Sequence, residues 1–176
     1  MIIGIDVSTS ITGVACLENS GELLEFFSID TRKFKCSFQK AQEVRNNLKY
    51  IKDKYAQPKA IYIEKSLLSF RKGFSSAKTL SILSSFNGVV SWICYDLFDI
   101  KPSHIEARSA RKICEIAIPK GEKPKPLVLK HIVDSEKDFV VEYTKAGNPK
   151  PKYYDMADAI VIARAGYKRN LLVKGE

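Results

Sequence analysis

The strongest constraint on the fold is a change of hydrophobic period early in the chain. Residues Ile2 to Val7, Thr12 to Leu17 and Glu22 to Asp30 are short runs rich in β-branched and aromatic residues, separated by the polar stretches "STS" and "ENSG". Such runs between turn residues read as consecutive antiparallel strands, a meander. From Ser37 the period lengthens: Phe38, Ala41, Val44, Leu48, Ile51 and Tyr55 recur every three or four residues, with Lys, Arg, Asn and Gln between them. That is the pattern of an amphipathic helix. After Pro58 "KAIYIEK" is strand-like again and Glu64 closes it. A strand reached from the meander through a helix suits a crossover within the same sheet.

The second half is read more coarsely. Residues Ala77 to Phe98 form a long, mostly apolar segment, expected to be a largely buried helix. "IKPSHIEA" is a weak fifth strand interrupted by Pro102 and Ser103, followed by a helix over Arg108 to Ile116. "PKGEKPKP" and "TKAGNPKPKYY" are expected as exposed basic loops on either side of a short helix, "LVLKHIV". Asp155 to Lys168 reads as the last helix, apolar on most faces. The order of elements predicts an α/β fold: a mixed five-stranded sheet with helices on both faces, within one domain spanning 1–176.

Composition narrows the partners. Lys and Arg outnumber Asp and Glu by 29 to 20, a formal net charge of +9, which suits a polyanion such as nucleic acid or an anionic membrane surface. No apolar stretch approaches the roughly 20 residues needed to cross a bilayer, and the start of the chain lacks the basic flank of a signal peptide. A soluble, cytoplasmic protein is expected. Cys16, Cys36, Cys94 and Cys114 lie far apart without a C-x-x-C pair, so they read as reduced thiols, mostly buried.

The acids carry the chemistry. Asp6 ends the first strand, Glu64 ends the fourth, and Asp155 and Asp158 stand three apart at the start of the last helix, on nearly the same face. Neighbouring strands can bring Asp6 and Glu64 together. Like charges so close repel unless cations neutralise them. An all-oxygen donor set favours Mg²⁺, then Mn²⁺, and two such ions about 3.5 to 4 Å apart can activate water and stabilise a leaving oxygen in phosphodiester hydrolysis. Against this stand plainer roles: Asp6 as a turn cap, and Asp155 as a helix N-cap favoured by the macrodipole.

At these residues the chain resembles a known family. "GIDVSTSITGVACL" is similar to the opening strand and hairpin of RuvC-like Holliday junction resolvases, in the RNase H-like superfamily; "IYIEKSL" resembles the Glu-bearing strand of that family, and "YDMADAIVIARAG" its last helix. The resemblance runs along nearly the whole chain. It implies that Asp6, Glu64, Asp155 and Asp158 bind catalytic metal ions, Mg²⁺ or Mn²⁺. It also implies a homodimer formed through "SILSSFNGVVSWICYDLF", and a basic residue near the scissile phosphate, best matched by Lys125, with Lys120 and Lys123 as lesser matches. Val7 and Ser8 depart from the Pro and Gly usual in the family, which suggests a looser hairpin entry. Leu67 stands where an aromatic wedge is expected, leaving Phe70 and Phe74, beside Arg71 and Lys72, as residues that would unstack bases at a branch point or pack under their loop.

The expected activity is a metal-dependent, structure-selective endonuclease that resolves four-way DNA junctions, two subunits cutting symmetrically to leave 5′ phosphates. Phe70, Arg71, Lys72, Phe74, Lys78, Lys120, Lys123, Lys150, Lys152 and Arg169 are candidate DNA contacts, giving salt-dependent affinity. Three other readings are weighed. An actin-like or sugar-kinase ATPase lobe fits "DVSTSIT", but Ser8 replaces the glycine its phosphate loop needs and no second glycine-rich loop follows. An RNase H-like nuclease acting on RNA or other branched DNA shares the same acids. A non-catalytic module binding branched nucleic acid through charge alone would survive the loss of Asp6.

Overall fold

The computed structural model describes residues 1–66 and 77–174, with side chains described through Leu171. Leu67, Phe70, Arg71, Lys72 and Phe74 therefore lie outside the described residues. Five strands, β1 (Ile2–Asp6), β2 (Ile11–Leu17), β3 (Leu23–Asp30), β4 (Ala60–Glu64) and β5 (Ser103–Ile105), form one sheet in the order β3-β2-β1-β4-β5. β1, β2 and β3 pair antiparallel, while β4 lies parallel to β1 and β5 parallel to β4. The mixed α/β sheet expected from the change of period is the one observed.

Among the described residues five helices cover it: α1 (Ser37–Lys54), α2 (Ala77–Phe98), α3 (Ala107–Ile113), α4 (Pro124–Ser135) and α5 (Lys152–Lys174). Strand alternation sorts side chains between two apolar layers. Ile3, Ile5, Val14, Cys16, Ile61 and Ile63 meet Val44, Leu48 and Ile51 of α1 and Phe86, Val90, Ile93 and Cys94 of α2. On the opposite face Ile2, Ala15, Leu17 and Tyr62 meet α3, α4 and the buried Ala157, Ile160 and Val161 of α5. The even positions of β1 and β4 thus point toward α5, and this parity decides where Asp6 and Glu64 face.

Several expectations need correcting. α2 has the expected bounds but is not largely buried: Phe86, Asn87, Val90, Ile93, Cys94, Leu97 and Phe98 face the sheet side, while Trp92 is 60% and Tyr95 52% exposed. One helix face suffices to cover a sheet, and the opposite face stays outside whatever its hydrophobicity. Phe38, in the first turn of α1, is 83% exposed rather than part of the buried stripe. α3 stops at Ile113 rather than Ile116. Pro124 starts α4 inside the supposed loop, the place in a helix where proline's fixed φ and missing N–H cost nothing, so Lys125 sits in the first turn of a helix. The second basic loop folds back on itself through a bridge between Tyr143 and Pro149, and α5 begins at Lys152, ahead of Asp155. Cys16, Cys94 and Cys114 are buried free thiols and Cys36 is exposed.

The hairpin entry is firmly held despite Val7 and Ser8. The Thr12 hydroxyl donates to the Ser8 carbonyl at 3.0 Å, and the Ser8 N–H donates back at 3.3 Å. The buried Thr31 hydroxyl donates to the Thr9 carbonyl at 3.0 Å, which also accepts from the Lys40 ammonium. Side-chain hydrogen bonds do here what a Pro-Gly pair does by backbone preference.

Candidate active site

Asp6 and Glu64 reach the same edge of the sheet by register. β1 and β4 run parallel with Ile5 opposite Ile63, so Asp6 and Glu64 each stand one residue beyond that pair, on the α5 face. α5 then lies unusually close to the strands. A Cβ built on Gly13, which pairs with Asp6, falls 2.0 Å from the carbonyl oxygen of Asp155, and one on Gly4 falls 2.4 Å from the backbone nitrogen of Ala163. Only residues without a side chain permit this approach. Asp155 and Asp158 are brought down onto the sheet edge with their side chains 15% and 13% exposed.

The four acids share one electrostatic environment. Burial raises the Asp6 carboxyl well above the ordinary range, and Glu64, Asp158 and Asp155 add repulsion. Burial, then Asp158, pushes Glu64 up to about 7, with Lys125 and Arg111 pulling it back. Asp158 is raised to about 6 by burial against the opposing pull of Lys125. Asp155 is raised as well, burial outweighing its hydrogen bond from Lys125. A cluster that resists ionisation in this way calls for positive charge.

Lys125 supplies part of that charge. Its Nζ donates to Oδ1 of Asp155 at 2.9 Å and lies 3.8 Å from Oδ2 of Asp158. Burial alone would lower its pKa, but Asp155, Asp158 and Asp6 together raise it, keeping the ammonium charged. Among the described residues, no group of three or more His, Cys, Asp or Glu side chains is gathered tightly enough to hold a metal ion as placed. The donor chemistry, oxygen only and short of positive charge, fits a hard divalent cation; the side-chain arrangement is that of carboxylates paired to an ammonium.

A cavity of about 150 Å³ opens beside the cluster, lined by Asp6, Val7, Glu64, Lys65, Ser66, Leu80, Leu83 and Asn87. Asn87 and Arg111 are the residues missed from sequence. Asn87 is the one carboxamide in the otherwise apolar or small stretch "SSFNGVVSW", a signal that was available; Arg111 in α3 carried none, being one of many basic residues.

The other candidates are more scattered. Lys78, in the first turn of α2, and Lys120 and Lys123, ahead of α4, are exposed. Lys150 and Lys152 are exposed or half-buried but both bind Glu142, at 2.5 and 3.0 Å, so they meet a phosphate only by exchanging that partner. Arg169 stands 14 residues beyond Asp155 on α5, roughly 20 Å along the helix axis, far from the cluster.

Comparison with solved structures decides the fold. The chain is similar to RuvC from Thermus thermophilus in complex with a Holliday junction substrate, at 14% identity and a TM-score of 0.63, over 97% of this chain and 94% of that one. The fold is RuvC-like. It is also similar to the yeast mitochondrial Holliday junction resolvase Ydc2, at 13% identity and a TM-score of 0.63, over 99% of this chain and 80% of that one. Fowlpox virus resolvase with its Holliday junction DNA gives 16% identity and a TM-score of 0.53, over 97% and 98%. No protein-family model and no curated protein matches the sequence. At such identities the likeness is one of RuvC-like fold, and the chemistry is argued from the residues. No helix among the described residues is long and apolar enough to cross a membrane.

Proposed function

We propose that residues 1–176 act as one nuclease domain, a metal-dependent, structure-selective endonuclease that resolves four-way DNA junctions by phosphodiester hydrolysis. The observation that carries this reading is the placement of Asp6 and Glu64 at the ends of the neighbouring strands β1 and β4, on the face covered by the helix that carries Asp155 and Asp158, at one edge of a RuvC-like sheet. These carboxylates would hold Mg²⁺ or Mn²⁺, and such ions supply an activated water and charge stabilisation at the leaving oxygen. The chain's own contribution is to keep four acids on a rigid sheet edge and helix end, and to bring Lys125 beside them. Were those carboxylates to hold a cation, the Lys125 ammonium would be free to approach a phosphate oxygen, where its charge would favour developing negative charge. Lys78, Lys120 and Lys123 would contact the DNA backbone, with Lys150 and Lys152 doing so on release from Glu142.

The exposed face of α2 supports the homodimer. Ile82, Val89, Trp92 and Tyr95 recur at helical spacing and stay exposed, an apolar stripe of the kind that marks an interface. Two copies joined there would cut the two strands of a junction symmetrically.

The test is cleavage of a labelled four-way junction against a matched linear duplex, with and without Mg²⁺. Junction-specific, Mg²⁺-dependent nicks leaving 5′ phosphates are expected; equal cutting of both substrates would rule the reading out. The pairing of Lys125 with Asp155 and Asp158 favours one second reading, a non-catalytic module that binds branched nucleic acid with its acids neutralised internally. Binding without cleavage under all metal conditions would select it.

A further inference from the structure

Asn87 is buried, 6% exposed, on the inner face of α2, and it lines the same cavity as Asp6 and Glu64. Its Nδ2 donates to the main-chain carbonyl of Glu64 at 2.9 Å. A carbonyl only accepts, so this bond fixes the orientation of the carboxamide and turns Oδ1 away from Glu64. Oδ1 lies 3.1 Å from Nε2 of His104, on β5. Nε2 must then carry the hydrogen. Ser91 agrees: its hydroxyl donates to the main-chain carbonyl of Asn87 at 2.8 Å, leaving a lone pair toward the same Nε2 at 3.2 Å. The chain of donors therefore runs one way, from His104 through Asn87 to the backbone of Glu64.

We infer that Asn87 is a positioning residue for Glu64, with His104, itself in contact with the Ser91 hydroxyl, holding its carboxamide in the one orientation that anchors the end of β4. The need for it follows from the local structure. β4 ends at Glu64, and β5, its neighbour, contributes only three residues. The main chain carrying the carboxylate thus leaves the sheet where pairing is sparse, and repulsion from Asp158 and Asp155 pushes on the side chain. A hydrogen bond from a packed helix to that carbonyl fixes the backbone without adding charge to the cluster. Groups that orient ligand-bearing segments in this way typically affect metal affinity or activity about 10-fold to 100-fold.

The inference rests on the reading of Glu64 as a metal ligand, so its test includes readouts that stand apart from cleavage. In Asn87→Ala, Mn²⁺ affinity measured calorimetrically on the protein alone and the single-turnover cleavage rate should both fall by about 10-fold or more, while junction affinity stays unchanged. His104→Ala should move both quantities the same way. His104→Gln, which keeps an N–H donor near the Nε2 position, should recover most of the loss, a rescue that a purely packing role does not provide. Hydrogen exchange gives an arm that needs neither metal nor DNA: the Lys65 amide, which donates to the Ile105 carbonyl, should exchange selectively faster in Asn87→Ala and His104→Ala. If the wild-type protein neither cuts junctions nor binds Mn²⁺, the proposed function fails and the exchange arm alone decides the anchoring. Wild-type exchange at Lys65 in both variants, or a His104→Gln protein as impaired as His104→Ala, would overturn the role assigned to Asn87.

Discussion

The Nζ of Lys125 lies 2.9 Å from Oδ1 of Asp155, so its ammonium already occupies part of the negative field of the acid cluster. Replacing Lys125 should therefore separate two effects. In Lys125→Gln, cleavage is expected to fall by about 100-fold, as when one preorganised charge near a reacting phosphate is lost. Mn²⁺ affinity should rise, because the competing cation is gone. Parallel calorimetry and single-turnover cleavage would check this, and a loss of both would place Lys125 among the groups that merely hold the carboxylates in position.

Stability should depend on pH in a direction opposite to that of most salt-bridged carboxylates. Unfolded carboxyls ionise near pH ~4, whereas Asp158 and Glu64 are held at about 6 and about 7 and Asp6 is also raised. Above the unfolded value the folded chain binds more protons than the unfolded one, so these carboxyls make stability fall as pH rises from about 4 through about 7. Asp30, bonded to Arg32, and Glu142, bonded to Lys150 and Lys152, are held near about 2. They oppose this only below about pH 4, and weakly, being exposed. In chelator, the thermal midpoint should be higher at pH 5 than at pH 8, and Mn²⁺ should raise it more at pH 8.

Asp6→Asn should abolish cleavage in Mg²⁺, retain junction binding, and yet raise the melting temperature of the metal-free protein above pH 7. The substitution removes a buried acid whose ionised form is opposed by burial and by three neighbouring carboxylates. Gains of this kind at functional sites reflect the stability given up for activity. Undiminished cutting by the variant would end the metal-site reading.

Gly13→Ala tests the close approach of helix and sheet. Its new Cβ would meet backbone atoms of Asp155, which cannot swing aside as a side chain can. Denaturant unfolding should show a loss of about 1 to 3 kcal/mol, the usual cost of overpacking, together with weakened cleavage. Gly88→Ala, where nothing lies within 4 Å, should not destabilise the protomer and serves as the control.

Trp92→Glu should convert the proposed dimer to monomer by light scattering without lowering the melting temperature of the protomer, since the indole is 60% exposed. Junctions should then be nicked on one strand at a time rather than in pairs.

The strands were legible because each carries its own pattern: Ile3 and Ile5 alternate with Gly4, and Ile61 and Ile63 with Tyr62, and this parity also delivers Asp6 and Glu64 to one face. What periodicity does not contain is the partner. Trp92 and Phe86 are alike in hydropathy, and only the sheet's position makes one buried and the other exposed. Lys125 looked like a loop residue because two prolines flank it, although proline in a first helical turn is favourable. That Arg169 stands at the other end of α5 from Asp155 is likewise a matter of helix length rather than of pattern. Asn87 stands out in sequence as a lone carboxamide in an apolar or small stretch, but its partners, a carbonyl on β4 and an imidazole on β5, are visible only in three dimensions.

The closeness of Gly13 to Asp155 has a bearing on biosynthesis. The acid cluster draws Asp6 from β1 and two carboxylates from the helix beginning at Lys152, so a ribosome-bound fragment lacking that helix holds only half of them and leaves one side of its sheet without its main covering helix. The proposed metal centre would therefore be assembled only once α5 has been made and has packed against the strands, so a nascent chain short of that helix would lack the chemistry.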